Sequence, residues 1–204
     1  SKVMNRLIEK GAVSESVASD IQERITRTTD VSQFKDCGLV IEAVVEDLNI
    51  KHSVFAQVED VVGADAIIAS NTSSLSITTI AAGCKHPERV VGLHFFNPAP
   101  LMPLVEIIPA LQTRDELDVE LVELMTQWGK SPVITKDTPG FIVNRVARPY
   151  YGEAMRILDE GLTDVSTIDE AMRSLGFRMG PFELTDLIGH DVNYAVTESV
   201  FKAF

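Results

Sequence analysis

The chain has 204 residues, of which 45% are hydrophobic and 24% charged, so it can bury the core of one or two globular domains. Its formal net charge of −12 argues against nucleic acid as a ligand, because nucleic-acid binding needs clustered cations. No apolar run reaches the roughly 18–20 residues that span a bilayer, and residues 1–10 lack the apolar core of a signal peptide. We therefore expect a cytoplasmic protein that binds no membrane. Its two cysteines, Cys37 and Cys84, match no metal-ligand spacing and are expected to be reduced thiols, so no metal site is predicted.

Strand-like and helix-like segments alternate over the first two thirds of the chain, which predicts an α/β fold with a doubly wound sheet. The run 37–45 is apolar apart from one charged residue, as expected of a parallel strand buried on both faces. The next helix is predicted to bury Ile50, Val54, Val58 and Val61. In chain order the predicted elements are helices over 1–10 and 14–26, a strand over 37–45, a helix through Val61, a strand over 66–70, a helix over 77–82, strands over 89–96 and 104–108, a helix through Trp128 and a strand over 131–135.

The pattern changes at KDTPG (136–140), because Pro139 and Gly140 are turn formers and no strand-like run follows them. Beyond this point apolar residues recur at alternating spacings of four and three, which predicts helices that pack on one another. We therefore predict an α/β domain over residues 1–136 and an all-α domain over residues 137–204.

The segment 70–106 contains a hydroxyl, an imidazole, a carboxamide and a carboxylate in turn-rich sequence between apolar runs. Polar side chains at strand ends can contact a small molecule and need not be buried unpaired. Within this segment His94 can accept and release a proton near neutral pH, and Glu106 can accept a hydrogen bond from its other ring nitrogen. The segment therefore predicts a proton-transfer site. The structural alternatives are a satisfied histidine at a strand end and a serine, Ser73, that caps the next helix.

Five stretches of the chain closely resemble the L-3-hydroxyacyl-CoA dehydrogenase family, and they occur in the family's order over nearly the whole length. They are VIEAVVEDLNIK (40–51), SNTSSL (70–75), GLHFFNPAPLMPLVEII (92–108), DTPGFIVNRV (137–146) and GPFELTDLIGHDV (180–192). The resemblance implies a Rossmann-type, NAD-binding fold for the first domain and a helical dimerisation and substrate domain after it. It also implies reversible, NAD-dependent oxidation of an L-3-hydroxyacyl-CoA to the 3-oxoacyl-CoA.

The family's catalytic positions all have counterparts in the sequence. The positions that match His94 and Glu106 form the catalytic pair in the family. Those that match Ser73 and Asn144 hydrogen-bond around the substrate's 3-oxygen and the nicotinamide. A hydroxyl and a carboxamide suit that task because both can donate to a developing ketone.

The resemblance implies cofactor contacts for Glu46, Lys51, Ser73 and Asn97, through ribose or nicotinamide groups that such side chains can bind. The backbone at Ala43 is expected to approach the cofactor as well. For Glu46, Lys51 and Asn97 the alternative is a solvated polar side chain at a strand-to-helix junction.

The family's G-x-G-x-x-G phosphate loop has no counterpart here, because no two of the 12 glycines are spaced G-x-G. The resemblance therefore implies an N-terminally truncated domain whose sequence begins after its first βαβ unit. Since that loop and the helix that follows it supply the main pyrophosphate contacts, we expect the chain as given to bind NAD weakly and to turn over slowly.

Recognition of acyl-CoA is predicted at Lys2 and Arg6, because Lys2, Arg6 and Lys10 recur at a spacing of four and would share one helical face. A solvated face is the alternative. Pro103 stands where many family members have lysine, so their acyl-chain preference does not transfer directly. The stretches RPYYGEA (148–154) and GFRMGPFEL (176–184) resemble a bacterial branch that acts on 3-hydroxybutyryl-CoA or 3-hydroxyadipyl-CoA.

Two other interpretations remain open at the level of sequence. One is a non-catalytic, crystallin-like relative, against which the presence of Ser73, His94, Glu106 and Asn144 together argues. The other is the dehydrogenase segment of a multifunctional β-oxidation protein. If the chain is an enzyme, whether a separate dehydrogenase or a segment of a multifunctional protein, we expect a homodimer formed through the helical domain.

Overall fold

The computed structural model describes residues 2–202, without the side chains of residues 2, 3 and 199. The chain divides into two compact units, Ser1–Gln33 and Phe34–Phe204. No helix in the described range combines the length and the apolar character needed to cross a bilayer.

The first unit contains helices α1 (Lys2–Glu9) and α2 (Glu15–Glu23). The hydroxyl of Ser14 starts α2 by accepting a hydrogen bond from the backbone N–H of Val17 at 3.3 Å. Ala18 is the buried residue of this helix.

The second unit is built on a sheet of five strands in the order β1-β2-β3-β4-β5, followed by helices. The strands are β1 (Leu39–Glu42), β2 (Ile67–Ser70), β3 (Val90–Phe95), β4 (Leu104–Pro109) and β5 (Ser131–Ile134). The helices among them are α3 (Leu48–Glu59), α4 (Ile77–Ala82) and α5 (Leu117–Gln127), and those after the sheet are α6 (Val143–Asp159), α7 (Val165–Ser174), α8 (Pro181–Ile188) and α9 (His190–Lys202). Two 3-10 turns cover Val31–Phe34 and Pro87–Arg89.

This arrangement confirms the predicted α/β fold followed by helices, with one difference in strand direction. Strands β1, β2 and β3 are parallel to one another, but β4 runs antiparallel to β3, and β5 is parallel to β4. A parallel β3–β4 pair would need a crossover of a dozen or more residues, whereas the connection 96–103 is a short loop without a helix. The carboxyl ends of β1–β3 therefore meet the amino ends of β4 and β5 at one edge of the sheet.

Helices cover both faces of the sheet. Helix α5 packs against one face, and α4 and α3 lie on the other, where α4 contacts β3 and β4. Because side chains alternate along a strand, successive residues of β3 and β4 point to opposite layers. The layer under α5 is a fully buried cluster of Ala69, Val91, Leu93, Val105, Ile107, Leu117, Leu121 and Met125.

Helix α3 buries Val58 as predicted and half-buries Val54, with Val61 half-buried just after its end, but its buried side extends beyond the predicted stripe. Ile50 is 44% exposed, whereas Lys51, Phe55, Val58 and Glu59 are buried. The two charged residues can be buried because each has a buried partner of opposite charge, which offsets part of the desolvation cost. The prediction used only the spacing of apolar side chains, so it did not include Lys51 among the buried residues of the helix.

Gly92 in β3 occupies a position where the layer under α4 leaves no room for a side chain. A Cβ atom there would lie 2.8 Å from Cδ1 of Ile77 and 2.9 Å from Cβ of Ile108. We expect Gly92→Ala to lower the free energy of unfolding by about 1–3 kcal/mol, the usual cost of overpacking, as measured by urea denaturation. Gly63→Ala is the matched control, because a Cβ at Gly63 meets nothing within 4 Å. Equal stabilities of the two variants would contradict this account.

Beyond residue 140 the regular elements of the described chain are all helices, as the sequence predicts. Pro181 begins α8, where its missing N–H costs no intrahelical hydrogen bond. The hydroxyl of Tyr150 in α6 donates to the carbonyl of Met179 at 2.8 Å and fixes α6 to the segment before α8. The domain boundary at 136–137 stays a prediction.

Candidate active site

His94 and Glu106 face each other across the antiparallel pair of β3 and β4. The Nδ1 atom of His94 lies 2.6 Å from Oε2 of Glu106, and both side chains are buried. The reversal at 96–103 produces this contact, because it sets a residue near the end of β3 opposite one near the start of β4. Directly opposed residues on one face of a sheet lie close enough for their side chains to interact.

The second carboxylate oxygen of Glu106 binds the start of α6. Oε1 accepts hydrogen bonds from the backbone N–H groups of Ile142 and Val143, each at 2.9 Å. These groups belong to the amino end of a 17-residue helix, where unpaired N–H groups and the helix dipole favour a negative charge. Glu106 is therefore held by two elements, and its charge is compensated on both oxygens.

This geometry assigns the tautomer of His94. A carboxylate only accepts hydrogen bonds, so Nδ1 of His94 must donate to Glu106. In the neutral ring Nε2 then carries the lone pair, and among residues 2–202 it has no hydrogen-bond partner. The rings of Phe96 and Phe141 lie 4.5 Å and 5.7 Å from the imidazole and limit its movement. His94 is thus arranged to accept a proton at Nε2.

Ser73 and Asn144 lie next to each other and connect to the same helix end. The side-chain amide of Asn144 donates to the backbone carbonyl of Ser73 at 3.3 Å. Asn144 directly follows Val143, whose N–H binds Glu106. One continuous set of contacts therefore runs from His94 through Glu106 and the start of α6 to Ser73.

Glu46 organises the loop that contains Ser73. Its Oε1 accepts from the hydroxyl of Thr72 at 2.5 Å, from the backbone N–H groups of Ser73 and Ser74 at 3.1 Å each, and from the Ser74 hydroxyl at 2.9 Å. Burial alone would raise the pKa of Glu46, but the hydrogen bonds from Thr72 and Ser74 and the charge of Lys51 outweigh it, so the pKa is lowered. Glu46 is therefore an anion that fixes the loop backbone.

Lys51 is almost completely buried, with 1% of its side chain exposed. Its ammonium group lies 2.8 Å from Oε1 of Glu42, 3.3 Å from Oε2 of Glu46 and 3.4 Å from the carbonyl of Val44. These three acceptors match the three protons of the group. Lys51 is therefore linked to the predicted cofactor side of the sheet by its ion pair with Glu46. Direct contact between Lys51 and NAD stays a prediction.

The remaining predicted positions lie apart from these contacts. Ala43 and Asn97 are exposed, one just after β1 and the other in the loop after β3. Arg6 is an exposed residue of α1 in the first unit, and the Lys2 side chain lies outside the described part of the chain.

Comparison with known families identifies both parts of the sequence. Residues 1–138 match the NAD-binding domain of 3-hydroxyacyl-CoA dehydrogenase, and residues 140–204 match the C-terminal domain of the same enzyme. The chain belongs to the 3-hydroxyacyl-CoA dehydrogenase family. Its Rossmann-type fold and its helical region are those of this family.

Individual relatives agree with this assignment. A 3-hydroxyadipyl-CoA dehydrogenase of Escherichia coli K12 is 50% identical over 98% of the chain, and a 3-hydroxybutyryl-CoA dehydrogenase of Clostridioides difficile is 41% identical over all of it. The crystal structure of a (S)-3-hydroxybutyryl-CoA dehydrogenase from Ralstonia eutropha matches with a TM-score of 0.95 and 40% identity, and the match covers the whole chain and 72% of that protein. The chain spans 42% of the E. coli relative and 73% of the C. difficile one.

The described residues fit one end of the family's cofactor. The carboxyl ends of the parallel strands β1–β3 meet at one edge of the sheet, where exposed Ala43 follows β1, the Ser73 loop follows β2 and exposed Asn97 follows β3. Crevices at such strand ends are where dinucleotides bind in open α/β sheets. These groups suit the nicotinamide and its ribose, whereas the 204 residues contain no glycine-rich loop for the pyrophosphate.

Two carboxylates with clear roles were not anticipated from the sequence. Glu42 partners Lys51, and its signal was a single charge inside an otherwise apolar strand. Asp137 caps α4: its carboxylate accepts from the Ser76 hydroxyl at 2.8 Å and from the N–H groups of Ile77 at 3.0 Å and Thr78 at 2.7 Å. Its signal is the aspartate of KDTPG, but the sequence does not show that its partners lie 59–61 residues earlier in the chain. Asp137 ties the segment before α6 to the segment after Ser73.

Proposed function

We propose that this chain contains the proton-transfer site of an NAD-dependent L-3-hydroxyacyl-CoA dehydrogenase. The contact that carries the proposal is the 2.6 Å pairing of His94 with Glu106, whose other oxygen is anchored by the start of α6. A non-catalytic relative would have no need for a buried imidazole of this kind. One ring nitrogen of His94 is hydrogen-bonded to Glu106, and the other has no hydrogen-bond partner among the described residues. This favours the enzyme over a crystallin-like role.

In the proposed reaction His94 takes the proton of the substrate's 3-hydroxyl group at Nε2. The positive charge that forms on the ring is stabilised by Glu106, which already accepts from Nδ1. In the reverse direction the same imidazole returns the proton to the 3-oxo oxygen. NAD, when bound, supplies the hydride acceptor. Ser73 and Asn144, which are in contact with each other, would donate hydrogen bonds to the oxygen as it becomes a ketone.

The substrate is proposed to be a short-chain or dicarboxylic 3-hydroxyacyl-CoA. The names of the E. coli and C. difficile relatives and the motifs 148–154 and 176–184 support this class. Arg6, exposed on α1, is the proposed contact for the anionic part of CoA, together with Lys2. NAD contacts are proposed for Ala43, Glu46, Asn97 and Ser73, with Lys51 acting through Glu46.

A homodimer formed through α6–α9 and a cytoplasmic location complete the proposal. Exposed apolar side chains on these helices support an interface: Leu187 is 70%, Tyr194 67% and Phe201 80% exposed. Surfaces of this kind on a protein mark interaction sites. Light scattering during size-exclusion chromatography would measure the mass of the particle, and a monomer at all concentrations would overturn the dimer.

The function is tested by following NADH oxidation with acetoacetyl-CoA for the 204-residue chain over a wide range of NADH concentrations. We expect slow turnover that rises with NADH, because weak cofactor binding raises KM without removing the catalytic groups. A thermal shift on adding acyl-CoA gives a readout that does not depend on turnover. Absence of both signals would overturn the proposal.

A further inference from the structure

Glu42 is a buried carboxylate at the carboxyl end of β1, on the cofactor edge of the sheet. It lies opposite Ser70, the last residue of β2, whose hydroxyl donates to Oε2 at 2.7 Å. Oε1 accepts from the backbone N–H of Val44 at 2.5 Å and from the ammonium of Lys51 at 2.8 Å. Only 1% of the Glu42 side chain is exposed, so nothing from solvent replaces these partners.

The charge of Glu42 reaches the Ser73 loop through two further side chains. The Lys51 ammonium sits between Glu42 and Oε2 of Glu46, and Oε1 of Glu46 accepts from the N–H groups of Ser73 and Ser74. A buried ammonium is stable only beside its counter-charges. Removing the charge of Glu42 would leave the ammonium with the carboxylate of Glu46 and the carbonyl of Val44, so Lys51 would lose one of its two counter-charges.

We propose that Glu42 is a positioning residue, which through Lys51 and Glu46 fixes the backbone at Ser73 for substrate and cofactor. The catalytic part of this inference rests on the proposed dehydrogenase function, but the ordering of the loop does not. The residues involved come from the ends of two neighbouring strands and from α3. The Glu42–Lys51 link is a charged contact in a low-dielectric site, where such contacts act strongly, and the links from Glu46 to Ser73 and Ser74 are charge-assisted hydrogen bonds nearer the surface.

Amide hydrogen exchange of the whole chain, measured by NMR without any ligand, tests the loop directly. In Glu42→Gln we expect the N–H groups of Ser73 and Ser74 to exchange about tenfold faster, because the hydrogen bonds to Glu46 weaken. Amides of β3 and β4 should keep the exchange rates of the unchanged protein. Asp60→Asn is the matched control, since it removes a carboxylate from an exposed lysine pair, Lys85–Asp60.

A second variant covers the case in which Glu42→Gln does not fold. The double variant Glu42→Gln, Lys51→Met removes both buried charges, and such replacements are often neutral for stability. It should still show faster exchange at Ser73 and Ser74, because Glu46 has lost its ammonium partner. Unchanged loop exchange in either folded variant, or equal acceleration throughout β3 and β4, would overturn the proposal.

The outcome for the dehydrogenase function is separate. Faster exchange confined to the loop supports the positioning role whether or not the chain oxidises NADH. If turnover is present, Glu42→Gln should lower kcat/KM about tenfold, in step with the exchange result. Turnover unaffected by Glu42→Gln would overturn the catalytic part.

Discussion

Replacement of His94 by glutamine is expected to lower kcat by about 10²–10⁴-fold, the usual contribution of a positioned general base. Glutamine has a similar length and can still pair with Glu106, so the fold should be kept. What it lacks is a group that gains and loses a proton near neutral pH. Steady-state NADH oxidation with acetoacetyl-CoA measures the effect, and circular dichroism confirms that the variant is folded.

His86→Gln is the matched control for this experiment. His86 is an exposed histidine that pairs with Glu88 on the surface, with 61% of its side chain accessible. Its replacement should leave kcat unchanged. Near-normal activity of His94→Gln, or an equal loss in both variants, would refute the role of His94 as the base.

Replacement of Glu106 by glutamine should also lower kcat by about 10²–10⁴-fold, although the side chain keeps its shape. The N–H groups of Ile142 and Val143 both need an acceptor, so the amide oxygen of the glutamine must face them. Its NH₂ group then faces Nδ1 of His94 and forces that atom to accept. The ring proton moves to Nε2, where it blocks proton abstraction, as in other sites that lose the orienting carboxylate.

Glu59→Gln is the control that separates this effect from loss of stability. Glu59 is a buried carboxylate that also accepts from two backbone N–H groups, those of Lys85 and His86, at 2.9 Å each. Both variants should lose about 1–3 kcal/mol in free energy of unfolding, since each weakens charge-assisted hydrogen bonds. Only Glu106→Gln should reduce kcat. Equal activities of the two variants would contradict the assigned tautomer.

The sequence predicts the α/β-then-helix fold because its strongest signals are local. Continuous apolar runs of strand length and the turn formers at 136–140 are visible without tertiary information. Strand direction is different. The apolar pattern of β4 is the same whichever way it runs, so its antiparallel pairing with β3 could not be derived from the pattern itself.

The chemistry of the site is predictable in part for the same reason. His94 and Glu106 are unusual residue types at strand ends, and within the segment 92–108 they favour a proton-transfer site over a structural histidine. Asn144 carries no such signal, because an asparagine in a helix is usually solvated, and only the family resemblance points to it. The sequence does not identify the role of Glu42, because that role depends on its pairing with Lys51, whose burial the helix pattern does not show.

The antiparallel connection between β3 and β4 separates the position of the His94–Glu106 pair, which lies in the strands, from the side chains of the loop, so each can evolve independently. The register that holds His94 opposite Glu106 is fixed by the pairing of the two strands and by the length of the connection 96–103, not by the identity of the exposed side chains within that loop. Exposed apolar residues of that loop, Leu101 and Met102, can therefore change without displacing the base from its carboxylate. Substitutions at these exposed positions would therefore change the surface of the loop after β3 while His94 and Glu106 stay in register.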